Sequence, residues 1–236
     1  MNELKLSKRL EKVAHAVPKG VRLADIGSDH AYLPIYCYLN GIISSAVAGE
    51  VVEGPYQTAK NQVSRLGLDS SILVRMGNGL EVIQPGEIDT ITICGMGGSL
   101  ITSILDEGVE KLRGVSRLIL QPNISAVSIR KWLLQNGWCI IQEYILEEDE
   151  KIYEVLVAEV GNPMRPYDED ELNKQLLLGP LLLKEKNPVF IKKWNLEKEN
   201  WVRILNQLDV ASVTKEIHLK QEELNLYIKY IEEALK

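Results

Sequence analysis

The chain has 236 residues, 45% hydrophobic and 25% charged, with a formal net charge of −6, which is the composition of a soluble globular protein with a sizeable core. No run approaches the roughly 18 to 20 apolar residues of a membrane span, and the opening MNELKLSKRLEKV is too charged for a secretory leader, so a cytoplasmic protein without membrane contact is expected. Cys37, Cys94 and Cys139 are isolated, without the spacing of a disulfide framework or a zinc site, and no metal is expected.

Leu6, Leu10, Val13 and Val17 recur at helical spacing and predict an amphipathic helix over 4–17, ended by Pro18 and Gly20. Lys5, Lys8, Arg9 and Lys12 fall on its other face. RLADIGSDHAYLP (22–34) reads as a short buried strand ending on Asp25, a tight turn opened by Gly27, and the start of a helix over 31–40. SAVAGEV (45–51) is a second strand with Glu50 near its end, followed by a helix over 53–66 with Pro55 in its first turn, where a missing N–H costs little. Strands are predicted at 71–76, 89–94 and 116–121. They are closed by Gly77-Asn78-Gly79, by Gly95-Met96-Gly97-Gly98 and by Pro122-Asn123, with helices over 98–107 and 124–136.

This alternation is the pattern of a parallel sheet with helices on both faces, an α/β fold. Two strand-like runs, 138–146 and 152–160, are then separated only by Glu147-Glu148-Asp149-Glu150 and predict an antiparallel hairpin. A seven-stranded Rossmann-like sheet ending in such a hairpin resembles the class I S-adenosylmethionine-dependent methyltransferases, whereas a nicotinamide-dependent oxidoreductase would continue with another parallel strand. Gly161-Asn162-Pro163 marks a boundary, giving a methyltransferase domain over 1–163 and a helical domain over 164–236. In the latter, Trp194, Trp201 and Leu208 fall seven apart, as do Ile217, Leu224 and Ile231, with Tyr227 and Ala234 on a second track. Two helices joined near 209–214 would bury these stripes as an antiparallel coiled-coil hairpin.

The strand ends carry the candidate chemistry. Asp25, Gly27, Ser28, Asp29 and His30 have the layout of a nucleotide-binding turn, although only Gly27 fits a G-x-G-x-x-G fingerprint. Glu50, followed by Val51, is placed to accept hydrogen bonds from both hydroxyls of a ribose. Asn78, between Gly77 and Gly79, is positioned either to contact an adenine through its amide or simply to form an Asn-Gly turn. Cys94, Gly95 and Met96 lie at the end of the fourth strand, which in this fold faces the transferred methyl group, and the glycines leave space for a flat base. The Asn/Asp-Pro-Pro-aromatic motif that grips an exocyclic amine is absent; a ring nitrogen with a free lone pair needs mainly alignment. His15 and His218 read as structural or surface residues, and Asn123 is placed to bind substrate or to cap the next helix.

DIGSDHAYLP, the AGE turn, GNGLE, ICGMGG and LQPN in this order, followed by the hairpin and a helical extension, closely resemble the bacterial tRNA (adenine(22)-N1)-methyltransferase family, often called TrmK. The resemblance covers essentially the whole chain. It implies S-adenosyl-L-methionine as donor and N1 of an adenine in the D-arm of tRNA as acceptor, with the donor held by Asp25, Gly27 to His30, Glu50, Val51, Gly77 to Gly79 and Cys94 to Met96. N1 lies on the Watson–Crick edge, so the adenine must leave its stack to react. Asp29, Tyr32 and Gly95 are the expected catalytic residues. Asp29 meets either the cationic product ring or the methionine amino group, and Tyr32 either stacks on the base or packs. Adenine N1 carries no proton at neutral pH, so His30 is not required as a base.

Charge is uneven: Lys5 to Arg22 holds six basic residues and one acid, and Lys174 to Lys215 eight and four. Lys5, Lys8, Arg9, Lys12, Asn123, Lys192 and Lys193 are the expected substrate contacts, the basic ones to phosphate. A monomer is expected. Two other readings were open to the sequence: a methyltransferase acting on a small molecule or protein, with the helical hairpin as a lid or dimer contact, and an RNA-binding module without turnover.

Overall fold

The computed structural model describes residues 5–208 and 215–236. The chain divides into two units, the first ending at Arg165 and the second running from Pro166 to Lys236.

The first unit is built on a seven-stranded sheet in the order β3-β2-β1-β4-β5-β7-β6. Its parallel strands are β1 (Val21–Ile26), β2 (Ile43–Glu50), β3 (Ile72–Met76), β4 (Thr90–Gly97) and β5 (Arg117–Ile124). The helices between them are α2 (Tyr32–Leu39), α3 (Glu53–Arg65), α4 (Gly98–Glu107) and α5 (Ala126–Gln135), preceded by α1 (Lys8–Ala16). Leu23, Ala24, Ile91, Ile93, Leu118, Ile119 and Leu120 are buried, as central strands covered on both faces require. The chain reverses its direction of winding between β1 and β4, and the crevice of a doubly wound sheet opens at such a switch point.

The hairpin of β6 (Trp138–Glu148) and β7 (Lys151–Val160) closes the sheet antiparallel to β5. Its connection is tighter than the acidic run suggests. Only Asp149 and Glu150 form the turn, both left-handed at φ 50° and 62°, while Glu147 and Glu148 pair with Ile152 and Lys151. Two left-handed residues give the twist that suits a two-residue hairpin.

Of the boundaries that differ from the sequence expectation, three have a local reason. The first helix begins at Lys8 rather than at residue 4, itself outside the described residues, because the Ser7 hydroxyl caps it by accepting the Leu10 N–H. β4 and β5 do not stop at Cys94 and Gln121: the ladder continues irregularly through Met96–Pro122 and Gly97–Ile124. Gly95 makes this possible by adopting φ +77°, and Gly98 by lacking a side chain, since a Cβ there would lie 2.1 Å from the Ser125 carbonyl oxygen. Behind β5, Arg130 of α5 is wholly buried and donates to Glu143 of β6 at 2.7 Å and Glu154 of β7 at 2.5 Å. A buried arginine is tolerable only when paired in this way, and the pairing fixes the hairpin to α5.

The second unit is helical, with α6 (Leu172–Leu178), α7 (Leu182–Glu185), α8 (Pro188–Leu208) and α9 (Lys215–Leu235). The short α6 and α7 were not expected; α6 buries Leu176, Leu177 and Leu178, and its Lys174 reaches Glu233 of α9 at 3.2 Å. α8 and α9 run antiparallel, with Lys198 opposite Glu232 and Trp201 opposite Tyr227. The seven-residue stripes supply the contact: Trp194 packs on Phe190 and Trp201, and Leu224, Ile231 and Ala234 are buried. The expected junction at 209–214 lies outside the described residues.

Candidate active site

A cleft of about 330 Å³ opens where the carboxyl ends of β1 and β4 meet. One wall is the turn after β1. Asp25 is buried at the strand end, where it accepts the Ser28 hydroxyl at 2.5 Å and the Thr92 hydroxyl at 2.7 Å. Burial pushes its carboxyl above the usual range, against the pull of those hydroxyls and of Arg9. Gly27 turns the chain at φ +68°, and the N–H groups of Gly27 and Ser28 both donate to the Gly49 carbonyl at 2.9 and 3.2 Å. Asp29, His30 and Ala31 follow at φ 42°, 70° and 58°. Three consecutive non-glycine residues in the left-handed region each cost about 1 to 2 kcal/mol, and such strain concentrates at ligand-binding turns.

Glu50 holds this turn from the end of β2. Its carboxylate accepts the Asp29 N–H at 2.5 Å, and burial raises its pKa. The Asp29 side chain is free of the core, 75% exposed, with His30 Nε2 at 3.4 Å.

The floor is the end of β4. Cys94, Gly95 and Met96 line it, and the Met96 methyl group lies 2.2 Å from where a Cβ on Gly27 would stand, so the two turns touch because residue 27 is glycine. Burial raises the Cys94 thiol strongly, which keeps it protonated and makes it a poor nucleophile.

The opposite wall comes from α1, β5 and β7. Arg9 enters the cleft instead of joining an outer basic face: its Nη1 donates to Gln121 Oε1, and its guanidinium lies over the Tyr153 ring at 5.3 Å. Gln121, wholly buried, also accepts the Gly95 N–H at 3.0 Å and donates to the Pro122 carbonyl at 2.8 Å. Asn123 Nδ2 donates to the Gly95 carbonyl at 2.7 Å. The helix carrying Arg9 is fixed from the hairpin, since the Glu148 carboxylate accepts the Lys8 and Arg9 N–H groups at 2.7 and 3.2 Å.

Asp25, Gly27, Ser28, Asp29, Cys94, Gly95, Met96, Arg9 and Asn123 therefore line one cleft, with Glu50 beside it through Asp29. Val51 is exposed just beyond β2, and the Gly77 N–H donates to the Glu50 carbonyl at 2.9 Å, which brings the turn after β3 alongside. Asn78 and Gly79 line a separate cavity of about 70 Å³ with Ile104 and Lys111, and Glu81 accepts the Asn78 N–H at 2.9 Å. His30 and Tyr32 do not line the main cleft; their rings pack on each other at 5.3 Å. Lys5 and Lys8 are exposed, and Lys12 lies over the Tyr144 ring at 4.8 Å. Lys192 and Lys193 belong to α8 of the second unit, Lys193 over the Trp194 ring at 4.8 Å. Among the described residues no three His, Cys, Asp or Glu side chains are grouped to hold a metal ion.

Gln121, Tyr153 and Glu148 were not singled out from the sequence. A glutamine ending the apolar run Leu118-Ile119-Leu120 was the available signal for the first, since a buried amide needs partners. For the other two nothing local distinguishes them from ordinary hairpin residues.

A family model described as tRNA (adenine(22)-N(1))-methyltransferase matches residues 23–233. A tRNA (adenine(22)-N(1))-methyltransferase of Bacillus subtilis (strain 168) is 53% identical over 235 residues, spanning 100% of this chain and 99% of that protein. The crystal structure of the B. subtilis m1A22 tRNA methyltransferase TrmK has a TM-score of 0.95 at 52% identity, covering 99% of this chain and 100% of that one. A Streptococcus pneumoniae structure, a putative tRNA (m1A22) methyltransferase in complex with S-adenosyl-L-methionine, has a TM-score of 0.87 at 44% identity, covering 98% and 100%.

Proposed function

This chain belongs to the tRNA (adenine(22)-N(1))-methyltransferase family, with that family's S-adenosylmethionine-dependent transfer of a methyl group to N1 of adenine 22 in tRNA, and we propose that the transfer takes place in the cleft between β1 and β4. The sheet is accordingly that of the Rossmann-like methyltransferases. One observation carries the assignment of the site: Gly27, in the turn after β1, and Gly95, on β4, face one cavity beside the buried carboxylates of Asp25 and Glu50.

The residues present fit the donor. Gly27 lets Met96 close against the turn, Gly95 has no side chain where a ligand must approach backbone, and Glu50, one of whose oxygens holds the Asp29 N–H, offers the other to a ribose. Asp25 with Ser28 stabilises the turn, Val51 and Gly77 to Gly79 flank the nucleoside end, and Cys94 to Met96 border the methyl group. Asp29 and His30 stand at the mouth, where the Asp29 carboxylate meets positive charge on either ligand. When bound, the donor supplies an electrophilic methyl group.

For the acceptor, the chain has to align a lone pair rather than remove a proton, because adenine N1 is unprotonated at neutral pH. Gly95 leaves room for the flat ring, Asn123 orients the Gly95 carbonyl, and Arg9 sets the far wall. Lys5, Lys8, Lys12, Lys192 and Lys193 contact phosphate, and Tyr32 supports the turn through His30. Methyl transfer from a sulfonium needs no metal, and tRNA is found in the cytoplasm; we place the protein there, acting as a monomer. The test is incubation of the purified protein with labelled donor and an unmodified tRNA transcript, followed by mapping of the methylated nucleoside. The expected product is 1-methyladenosine at position 22. Label on another nucleoside, or none, refutes the assignment.

A further inference from the structure

We infer that the Arg9–Tyr153 stack is the shelf on which the extruded adenine rests, with Tyr153 the positioning residue for the acceptor; this rests on the reading of the cleft as the site of tRNA methylation. Tyr153 is the only aromatic residue lining the cleft among the described residues. Its ring and the guanidinium over it, 5.3 Å from the ring centroid, form one polarisable wall. Tyrosine rings and arginine planes are the surfaces on which unstacked RNA bases lie.

Position supports this use. From β4 the sheet continues to β5 and then β7, so Tyr153 stands two strands from the glycine floor, about 10 Å at the spacing of neighbouring strands. Arg9 spans that interval, its Nη1 3.8 Å from where a Cβ on Gly95 would stand, so the shelf reaches from the ring to the floor. The wall is also held from behind: adjacent strand residues point to opposite faces, and Glu154 is locked to Arg130 on the far side while Tyr153 faces α1. Arg9 is held in turn by Gln121, which also bonds the Gly95 N–H, so the shelf and the floor share one buried amide.

The test uses the full-length protein, Tyr153→Phe and Tyr153→Leu, with wild-type tRNA transcript and a transcript carrying 2-aminopurine at the target position. Loss of the ring in Tyr153→Leu is expected to lower kcat/KM for tRNA roughly 5- to 150-fold, the range for removing one aromatic platform, while Tyr153→Phe stays near wild type. Donor affinity should be unchanged in both. Bound 2-aminopurine should be quenched in the wild type and Tyr153→Phe, and several-fold brighter in Tyr153→Leu. Wild-type turnover and quenching in Tyr153→Leu overturn the proposal, and so does a loss of donor affinity matching the loss of turnover, which would make the ring a mere support. A wild-type protein that leaves position 22 unmethylated overturns the functional reading as well, so the two failures are distinguishable.

Discussion

Replacing Glu148 with alanine removes the cap that the hairpin supplies to α1. Its carboxylate accepts the first two helical N–H groups, those of Lys8 at 2.7 Å and Arg9 at 3.2 Å, and Ser7 covers that of Leu10. A lost N-terminal cap costs about 0.5 to 2 kcal/mol, and loss of an anion near the helix dipole about 0.3 to 1 kcal/mol. With the Arg9 bond half-buried and the Lys8 bond exposed, about 1 to 2 kcal/mol is expected here. For a unit of this size that lowers the melting midpoint by about 2 to 8 °C. Glu148→Gln keeps an acceptor without the charge and should recover about half of the loss. Thermal melting by circular dichroism measures the shift, and hydrogen exchange at the Lys8 and Arg9 amides localises it. Since α1 carries Arg9 to Gln121 and Tyr153, KM for tRNA should rise more than the donor Kd. A Glu148→Ala protein that melts with the wild type and keeps both amides protected would show that the hairpin does not fix this helix.

Burial raises the Glu50 pKa in the folded protein, so its ionised form works against folding above that raised value and ceases to do so as pH falls to the ordinary carboxylate range. Glu50→Gln should therefore be at least as stable as the wild type at pH 7, the difference closing in acid, while binding the donor at least tenfold more weakly; a large drop in melting midpoint at pH 7 contradicts this. Gly98→Ala sets a Cβ against the Ser125 carbonyl, which is backbone and cannot swing aside, and should cost about 3 kcal/mol or more, whereas Gly54→Ala meets open space; urea titration of the pair decides. Charge reversal of Lys192 and Lys193 to Glu should weaken tRNA binding and reduce its salt dependence while leaving donor affinity intact, so equal tRNA affinity at matched salt removes α8 from the RNA-binding surface.

Which residues form strands and helices was legible because the apolar periods are strong and short-range. RLADIG, SAVAGE and TITICG each carry a buried strand into a polar or glycine turn, and the missing helix after Trp138 announced the hairpin. Asp25, Gly27, Glu50 and Gly95 were legible for a related reason: in a parallel sheet all carboxyl ends lie on one edge, so strand ends far apart in sequence become neighbours. Boundaries that depend on one capping side chain, as at Ser7, or on a bulge at Gly95, were not legible to the same degree.

The sequence by itself determined the alternation, the hairpin and the turn after β1 that lines the cleft, since each is written in local pattern and backbone preference. Only the tertiary structure decided that Arg9 points into the cleft, that Gln121 joins it to Gly95, that Tyr153 completes the wall and that Glu148 caps a helix 140 residues away. Those contacts depend on strand order and on which face each side chain takes, and no local period in the chain encodes either.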